Sequence, residues 1–297
     1  MLRGANHLLG VPDGSIDGHA HVFEQRLPMV SGRRYTPTRD AGLSEFVDHL
    51  TRHGLNGGLL VQPSFLGTDN SYLLAALQAV AEQKRHLCVR GVATLTEHAG
   101  RAEIKELSKA GIVGARFNLF GLSDSTAFDI APWKDTLLCV RDAGWHVELH
   151  CEGPRIAALL PMLLAHADRI VIDHFGLPDA VEPLDCPGHK AIIAAPAGRV
   201  FVKASAPYRV FRAVPSMIAA RRCAPIFHSL MDALGPDQLI WGSDWPWTQF
   251  EGAHRYETTM HWLDLWQDRH GDASSTHQIR DGRMHENVVP PASISSR

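Results

Sequence analysis

The chain is 297 residues long with 45% hydrophobic and 21% charged residues, the make-up of a globular protein with a large core. Its net charge of −3, with Lys and Arg scattered and no basic run, argues against nucleic acid and anionic membrane surfaces as partners. No stretch reaches the roughly 18 consecutive apolar residues of a spanning helix.

Short apolar, β-branched runs alternate with amphipathic stretches, and eight of the runs read as strands. The first is expected over Ser15–His19, followed by a long loop, Glu24–Asp40, that contains Pro28, Gly32 and Pro37. Leu43, Phe46, Val47 and Leu50 then recur at the spacing of a core-facing helix, which Gly54 ends before a strand over Gly58–Gln62. A second helix carries Leu73, Leu74, Leu77, Val80 and Ala81, and strands follow over Leu87–Thr94 and Val113–Asn118, the latter preceded by the helix-ending Gly111. Gly144 ends the next helix before a strand over His146–His150, and Pro154 marks the first turn of the helix after it. Strands over Ile170–His174 and Val200–Ala204 come next, then a long loop, Ala204–Pro215, a helix opening near Pro225, and a last strand over Leu239–Gly242. Eight strand–helix units predict an α/β fold, a single-domain (β/α)8 TIM barrel over residues 1–270, with residues 271–297 as a polar tail. No G-x-G-x-x-G follows the first strand, which counts against an open dinucleotide-binding sheet.

In such a barrel, side chains at the C-terminal ends of the strands converge on one mouth. His19 and His21 alternate onto one face of the first strand and can grip one ion, although 18 histidines give about one His-x-His pair by chance. The other strand ends supply the context: His150 ends the fifth strand, His174 the sixth, and Asp244 lies just past the eighth. Imidazoles with a carboxylate suit a divalent ion such as zinc, which acidifies a bound water. Asp244 is then the expected acceptor of the water's proton. Each residue also has a plain structural explanation: a lone buried histidine satisfied by hydrogen bonds, Asp244 as a helix N-cap, Asp173 bonding beside its strand. The five cysteines share no C-x-x-C spacing and read as unpaired thiols of a reducing compartment, Cys151 being set apart only by its place after His150. Met1–His7 lacks the apolar run of a signal peptide, so a cytoplasmic location is expected.

The chain resembles the amidohydrolase superfamily along nearly its whole length, most closely the lactonase branch typified by 2-pyrone-4,6-dicarboxylate lactonase. The resemblance rests on His19-Ala20-His21, Arg34-Tyr35-Thr36-Pro37, Gln62-Pro63-Ser64, Gly67-Thr68-Asp69-Asn70 and Gly114-Ala115-Arg116-Phe117-Asn118. It continues through Val171-Ile172-Asp173-His174, Lys203-Ala204-Ser205-Ala206-Pro207-Tyr208-Arg209 and Trp241-Gly242-Ser243-Asp244-Trp245-Pro246. The branch implies hydrolysis of a small carboxylate-bearing lactone of the muconolactone, pyrone or sugar-acid type. His19, His21, His174 and Asp244 match its catalytic set, and Tyr35, Ser64, Arg116 and Arg209 match residues that hold its substrate. The planar fork of arginine suits a carboxylate, while the ordinary alternative for either arginine is a salt bridge.

Two departures shape the expectation. Where the metal-free dicarboxylate lactonase has tyrosine, this chain has His150, which restores a strand-five ligand. One divalent ion, zinc for preference, held by His19, His21, His150 and Asp244, is therefore expected, with Asp244 and His174 catalytic. After Arg-Phe-Asn the branch carries a further basic residue, whereas here Leu119-Phe120-Gly121-Leu122 follows, which implies a less charged or differently shaped substrate. Two other readings compete: non-oxidative decarboxylation of an aromatic or unsaturated acid on the same barrel, and an idle barrel that only binds a small acid. The partner is a small molecule in every case, and a homodimer or higher homo-oligomer is compatible with the sequence.

Overall fold

The computed structural model describes residues 15–84, 86–122 and 128–266. The expected 270/271 boundary and polar tail lie outside the described residues. Eight strands run β1 (Ile16–Ala20), β2 (Gly57–Val61), β3 (Cys88–Ala93), β4 (Ile112–Asn118), β5 (His146–His150), β6 (Ile170–Ile172), β7 (Val200–Ser205) and β8 (Leu239–Gly242). All pair in parallel, in chain order. Between them lie α1 (Leu43–Arg52), α2 (Ser71–Gln83), α3 (Arg101–Lys109), α4 (Lys134–Asp142), α5 (Gly153–Leu164), α6 (Pro187–Ile193), α7 (Pro207–Val210) and α8 (Ser216–Leu234), with α9 (Tyr256–Met260) and α10 (Trp262–Trp266) after β8. This is a (β/α)8 barrel, as the alternation of patterns predicts.

The helices bury the predicted stripes. Phe46, Val47 and Leu50 of α1 and Leu73, Leu77 and Val80 of α2 face the sheet. Gly54 takes φ +65° directly after α1, and Leu55 N donates to Leu50 O at 2.8 Å, closing the helix end in a form a Cβ would strain. Gly111 and Gly144 stand in the same role.

Two local expectations fail. Pro225 lies inside α8 rather than at a helix start. Buried Ala219, Ala220 and Cys223 precede it and Ile226, Phe227 and Leu230 follow; each large apolar side chain buried contributes about 1.5–3 kcal/mol, so the stripe outweighs the roughly 3 kcal/mol cost of an interior proline. The segment 204–215 is not a plain loop either, because Pro207 opens the one-turn α7.

The barrel closes between its first and last strands. Asp244 N donates to His19 O at 2.9 Å and His21 N to Trp245 O at 2.8 Å. A Cβ on Gly242 would stand 2.8 Å from the backbone nitrogen and Cβ of His19, so only glycine lets β8 come this near β1. The Asp17 carboxylate binds the seam from within, accepting from Ser243 N (2.9 Å), Ser243 Oγ (2.5 Å) and Tyr256 Oη (2.7 Å). Inside the barrel Leu59, Val61, Val92 and Val113 form a small apolar cluster separate from the main core. Buried polar side chains, among them His19, Glu148, Asp173 and Lys203, lead from there to the C-terminal mouth.

Candidate active site

Side chains two apart on a strand share a face, so β1 presents His19 and His21 together, with their Nε2 atoms 3.3 Å apart. His174 sits in a 3-10 turn directly after β6 with φ +50°, and Asp244 follows β8 with φ +57°. Left-handed backbones at non-glycine residues cost about 1–3 kcal/mol each. Here they turn both side chains into the barrel, where all four residues are buried.

Asp244 organises the cluster. Its Oδ2 accepts from Tyr208 Oη at 2.5 Å and from Arg209 Nε at 2.6 Å. Its buried Oδ1 has no hydrogen-bond partner and faces His19 Nε2 at 3.7 Å and His174 Nε2 at 3.9 Å. Burial alone would raise this carboxyl group, but the Arg209 guanidinium, followed by His174 and His19, holds it well below the usual carboxylate range. The imidazoles are neutral because burial disfavours their charged forms: His21 is pushed down to about 3, His174 to about 4, and His19 well below its ordinary value. His21 Nδ1 donates to Val61 O at 2.7 Å, which makes its Nε2, 3.3 Å from His19 Nε2, the ring's acceptor. His174 Nδ1 is fixed by Ser205 Oγ at 2.9 Å.

This donor set fits a divalent ion. The ligand atoms of His19, His174 and Asp244 lie within 4.8 Å of one another, His21 Nε2 adjoins them, and the unpartnered carboxylate oxygen points among them. His150 is placed differently. Its Nδ1 lies 3.0 Å from Arg116 Nη2 and, since arginine only donates, is the acceptor, much as His19 Nδ1 stands 2.9 Å from Lys203 Nζ; what sets His150 apart is that it falls outside the group of His19, His174 and Asp244. His150 does lie in a second cluster with Asp173 and His174.

Below these groups is a buried ionic network that the sequence reading did not assign. Arg116 Nη2 donates to Asp173 Oδ2 at 2.8 Å, and its Nε lies 3.4 Å from Glu148 Oε1. Lys203 Nζ donates to Glu148 Oε2 at 2.5 Å and reaches His19 Nδ1 at 2.9 Å. Asp173 is therefore more than a strand-edge hydrogen-bonder: burial opposes its charge, but Lys203, His19 and Arg116 hold its carboxyl well below the usual range. Arg116, Lys203 and Arg209 balance Glu148, Asp173 and Asp244, three charges against three. A signal was available for the missed pair. Glu148 lies two residues before His150 and Lys203 two before Ser205, each the one formally charged residue of a fully buried strand.

Above the cluster opens a cavity with about 660 Å³ of non-atom space, open solvent at its mouth included. His21, Tyr35, Ser64, Arg116, His150, His174 and Arg209 line it, so every residue expected to bind substrate is there. Arg34 and Arg212 line it as well, and among the described residues no Asp or Glu does. Tyr35 Oη donates to Glu251, and Arg209 Nη2 donates to Thr248. Cys151 is buried, and burial pushes its thiol up to about 12, which disfavours the reactive thiolate; no disulfide joins any of the five cysteines.

This barrel and this cluster define the class: the chain belongs to the amidohydrolase family, which it matches over residues 16–287. Among curated relatives, the 2-pyrone-4,6-dicarbaxylate hydrolase of Comamonas testosteroni is 29% identical over 80% of this chain and 78% of the relative. The 4-sulfomuconolactone hydrolase of Hydrogenophaga intermedia is 30% identical over 80% of this chain and 76% of its own length. A solved Acinetobacter baumannii structure, described as a probable 2-pyrone-4,6-dicarboxylic acid hydrolase with citric acid bound, superposes with a TM-score of 0.82 at 31% identity, covering 93% of this chain and 99% of that one. Among the described residues no helix is long and apolar enough to cross a membrane.

Proposed function

We propose that this chain is a lactonase: it opens a small lactone that bears a carboxylate, using an activated water. The observation that carries the reading is the unpartnered Oδ1 of Asp244 among neutral imidazoles, beneath a cavity lined by arginines and, among the described residues, by no acid. Water attacks the lactone carbonyl carbon while its proton passes to Asp244 Oδ1. Collapse of the tetrahedral intermediate breaks the ring carbon–oxygen bond, and the proton moves to the departing ring oxygen, giving the open hydroxy acid. His174, fixed through Ser205, supports the water from the side opposite its hydrogen-bonded nitrogen. Arg116 and Arg209 orient the substrate carboxylate, and Tyr35 and Ser64 line its path.

His19, His21, His174 and Asp244 are the residues we assign to a divalent ion, with zinc preferred for its tolerance of nitrogen and oxygen ligands. Such an ion would supply an acidified water, which matters because a carboxylate as stabilised as Asp244 is a weak base. Cysteines without disulfides fit a reducing, cytoplasmic setting. Decarboxylation on the same barrel is the second reading, and release of carbon dioxide separates it from ring opening. The test is a screen of carboxylated lactones by pH indicator, run beside metal analysis of the purified protein. Acid release from none of them would overturn the proposal.

A further inference from the structure

The stretch after β4 lacks a basic residue, yet two arginines from elsewhere in the chain fill that position. Arg34, from the loop after β1, places its guanidinium carbon 5.4 Å from the centre of the Phe120 ring. Arg212, just after α7, places its own 5.1 Å from the same centre. Phe120 itself leans on His150, with ring centres 5.3 Å apart. Arg34 Nη2 is tied to Asn118 Oδ1 at 2.9 Å and Arg212 Nε to Arg209 O at 3.3 Å, so both heads are held against the ring. Gly121 makes room, because a Cβ there would stand 2.9 Å from Arg34 Nη1.

The two pairs of arginines in this cavity differ in how they are compensated. Arg116 is neutralised by Asp173 and Glu148, and Arg209 by Asp244. Arg34 and Arg212 have no carboxylate within 4 Å among the described residues. Glu152, the acid whose field reaches both, is occupied by Gly121 N at 2.6 Å and by Arg155 at 3.4 Å. Arg34 and Arg212 are solvent-exposed, each stacks on Phe120 and both line the cavity above the cations deeper in it, so an anion in the mouth meets two guanidiniums that no ion pair among the described residues holds.

We propose that Arg34 and Arg212, stacked on Phe120, form a second anion subsite at the cavity mouth, which takes a second oxyanionic group of the substrate. This rests on the lactonase reading and refines it: the substrate is a lactone with two anionic groups, not the less charged one that the sequence after Asn118 implies. Arg34 and Arg212 are then the residues that determine specificity.

The test uses matched probes on the full chain after exhaustive chelation: glutarate with two carboxylates and butyrate with one, titrated calorimetrically into the unaltered protein, Arg34→Met and Arg212→Met. Charge-assisted bonds of this kind correspond to roughly tenfold to a hundredfold in affinity. The expected result is that each variant weakens glutarate by at least about tenfold on that scale, while butyrate binding stays close to that of the unaltered protein. Equal weakening of both probes, or no weakening of glutarate, would overturn the subsite. In kinetics, the preference for a dicarboxylated lactone over its mono-methyl ester should fall in the same variants. Absence of any lactone turnover, with glutarate discrimination intact, would count against the lactonase reading and leave the subsite standing.

Discussion

Arg209 donates from Nε to Oδ2 of Asp244 at 2.6 Å, so the arginine assigned to the substrate's carboxylate also holds the carboxylate assigned to the water's proton. The two roles are coupled. An Arg209 drawn toward a substrate anion would share its charge, which would make Asp244 a stronger base in the complex.

Replacing Asp244 by Asn tests both roles at once. Turnover should fall more than about a hundredfold, the scale of a lost general base. Because buried Arg209 loses its counter-charge, the free energy of unfolding should also drop, by about 3 kcal/mol. Steady-state rates and urea unfolding measure the two effects separately, and full turnover would remove Asp244 from the mechanism.

Arg209→Met should shift the acid limb of kcat/KM. The guanidinium is what depresses Asp244, so its removal lets the carboxyl rise, and the limb moves to higher pH. The same variant should lose more rate on a carboxylated lactone than on its neutral ester. An unmoved limb with equal losses on both substrates would make Arg209 a purely structural residue.

Metal content separates His174 from His150. His174→Ala should lose the ion, since its Nε2 faces Asp244 Oδ1 at 3.9 Å, whereas His150→Tyr should keep it, since His150 falls outside the group of His19, His174 and Asp244. Elemental analysis after dialysis decides. Retention in the first variant and loss in the second would restore His150 to the ligand set that the strand-end pattern implied.

Acid should destabilise the metal-free fold well above the carboxylate range. His19, His21, His150 and His174 are buried and neutral, with folded values below the ordinary 6.5. As pH falls through 6.5 the unfolded chain takes up protons that the folded chain refuses, so stability present above 6.5 is lost toward about 4 for His174 and about 3 for His21. Each such histidine contributes a slope of about 1.4 kcal/mol per pH unit within its window. Urea midpoints at pH 7.5, 6 and 5 measure it, and a flat series would mean that these imidazoles are charged in the folded protein.

Much of this was legible because it is periodic. Eight apolar runs gave eight strands, with His19 and Asp244 at opposite ends of the chain falling into one mouth. The missed groups are those whose meaning lies in partners distant in sequence. Lys203 finds Glu148 across the barrel, Arg34 and Arg212 meet only on Phe120, and Arg116 turned out to engage His150. Pro225 misled because a local breaker was weighed without the buried stripe on either side of it.

The seam that Asp17 secures has a temporal meaning. His19 and Asp244 become neighbours only when β8 docks on β1, and the bonds that fasten this docking come from Ser243 and from Tyr256, more than two hundred residues after Asp17. A chain still emerging from the ribosome, however well formed its early units, has the first histidines and no carboxylate to face them. Chemistry begins with the last strand, so catalytic competence is itself a report that the ring has shut.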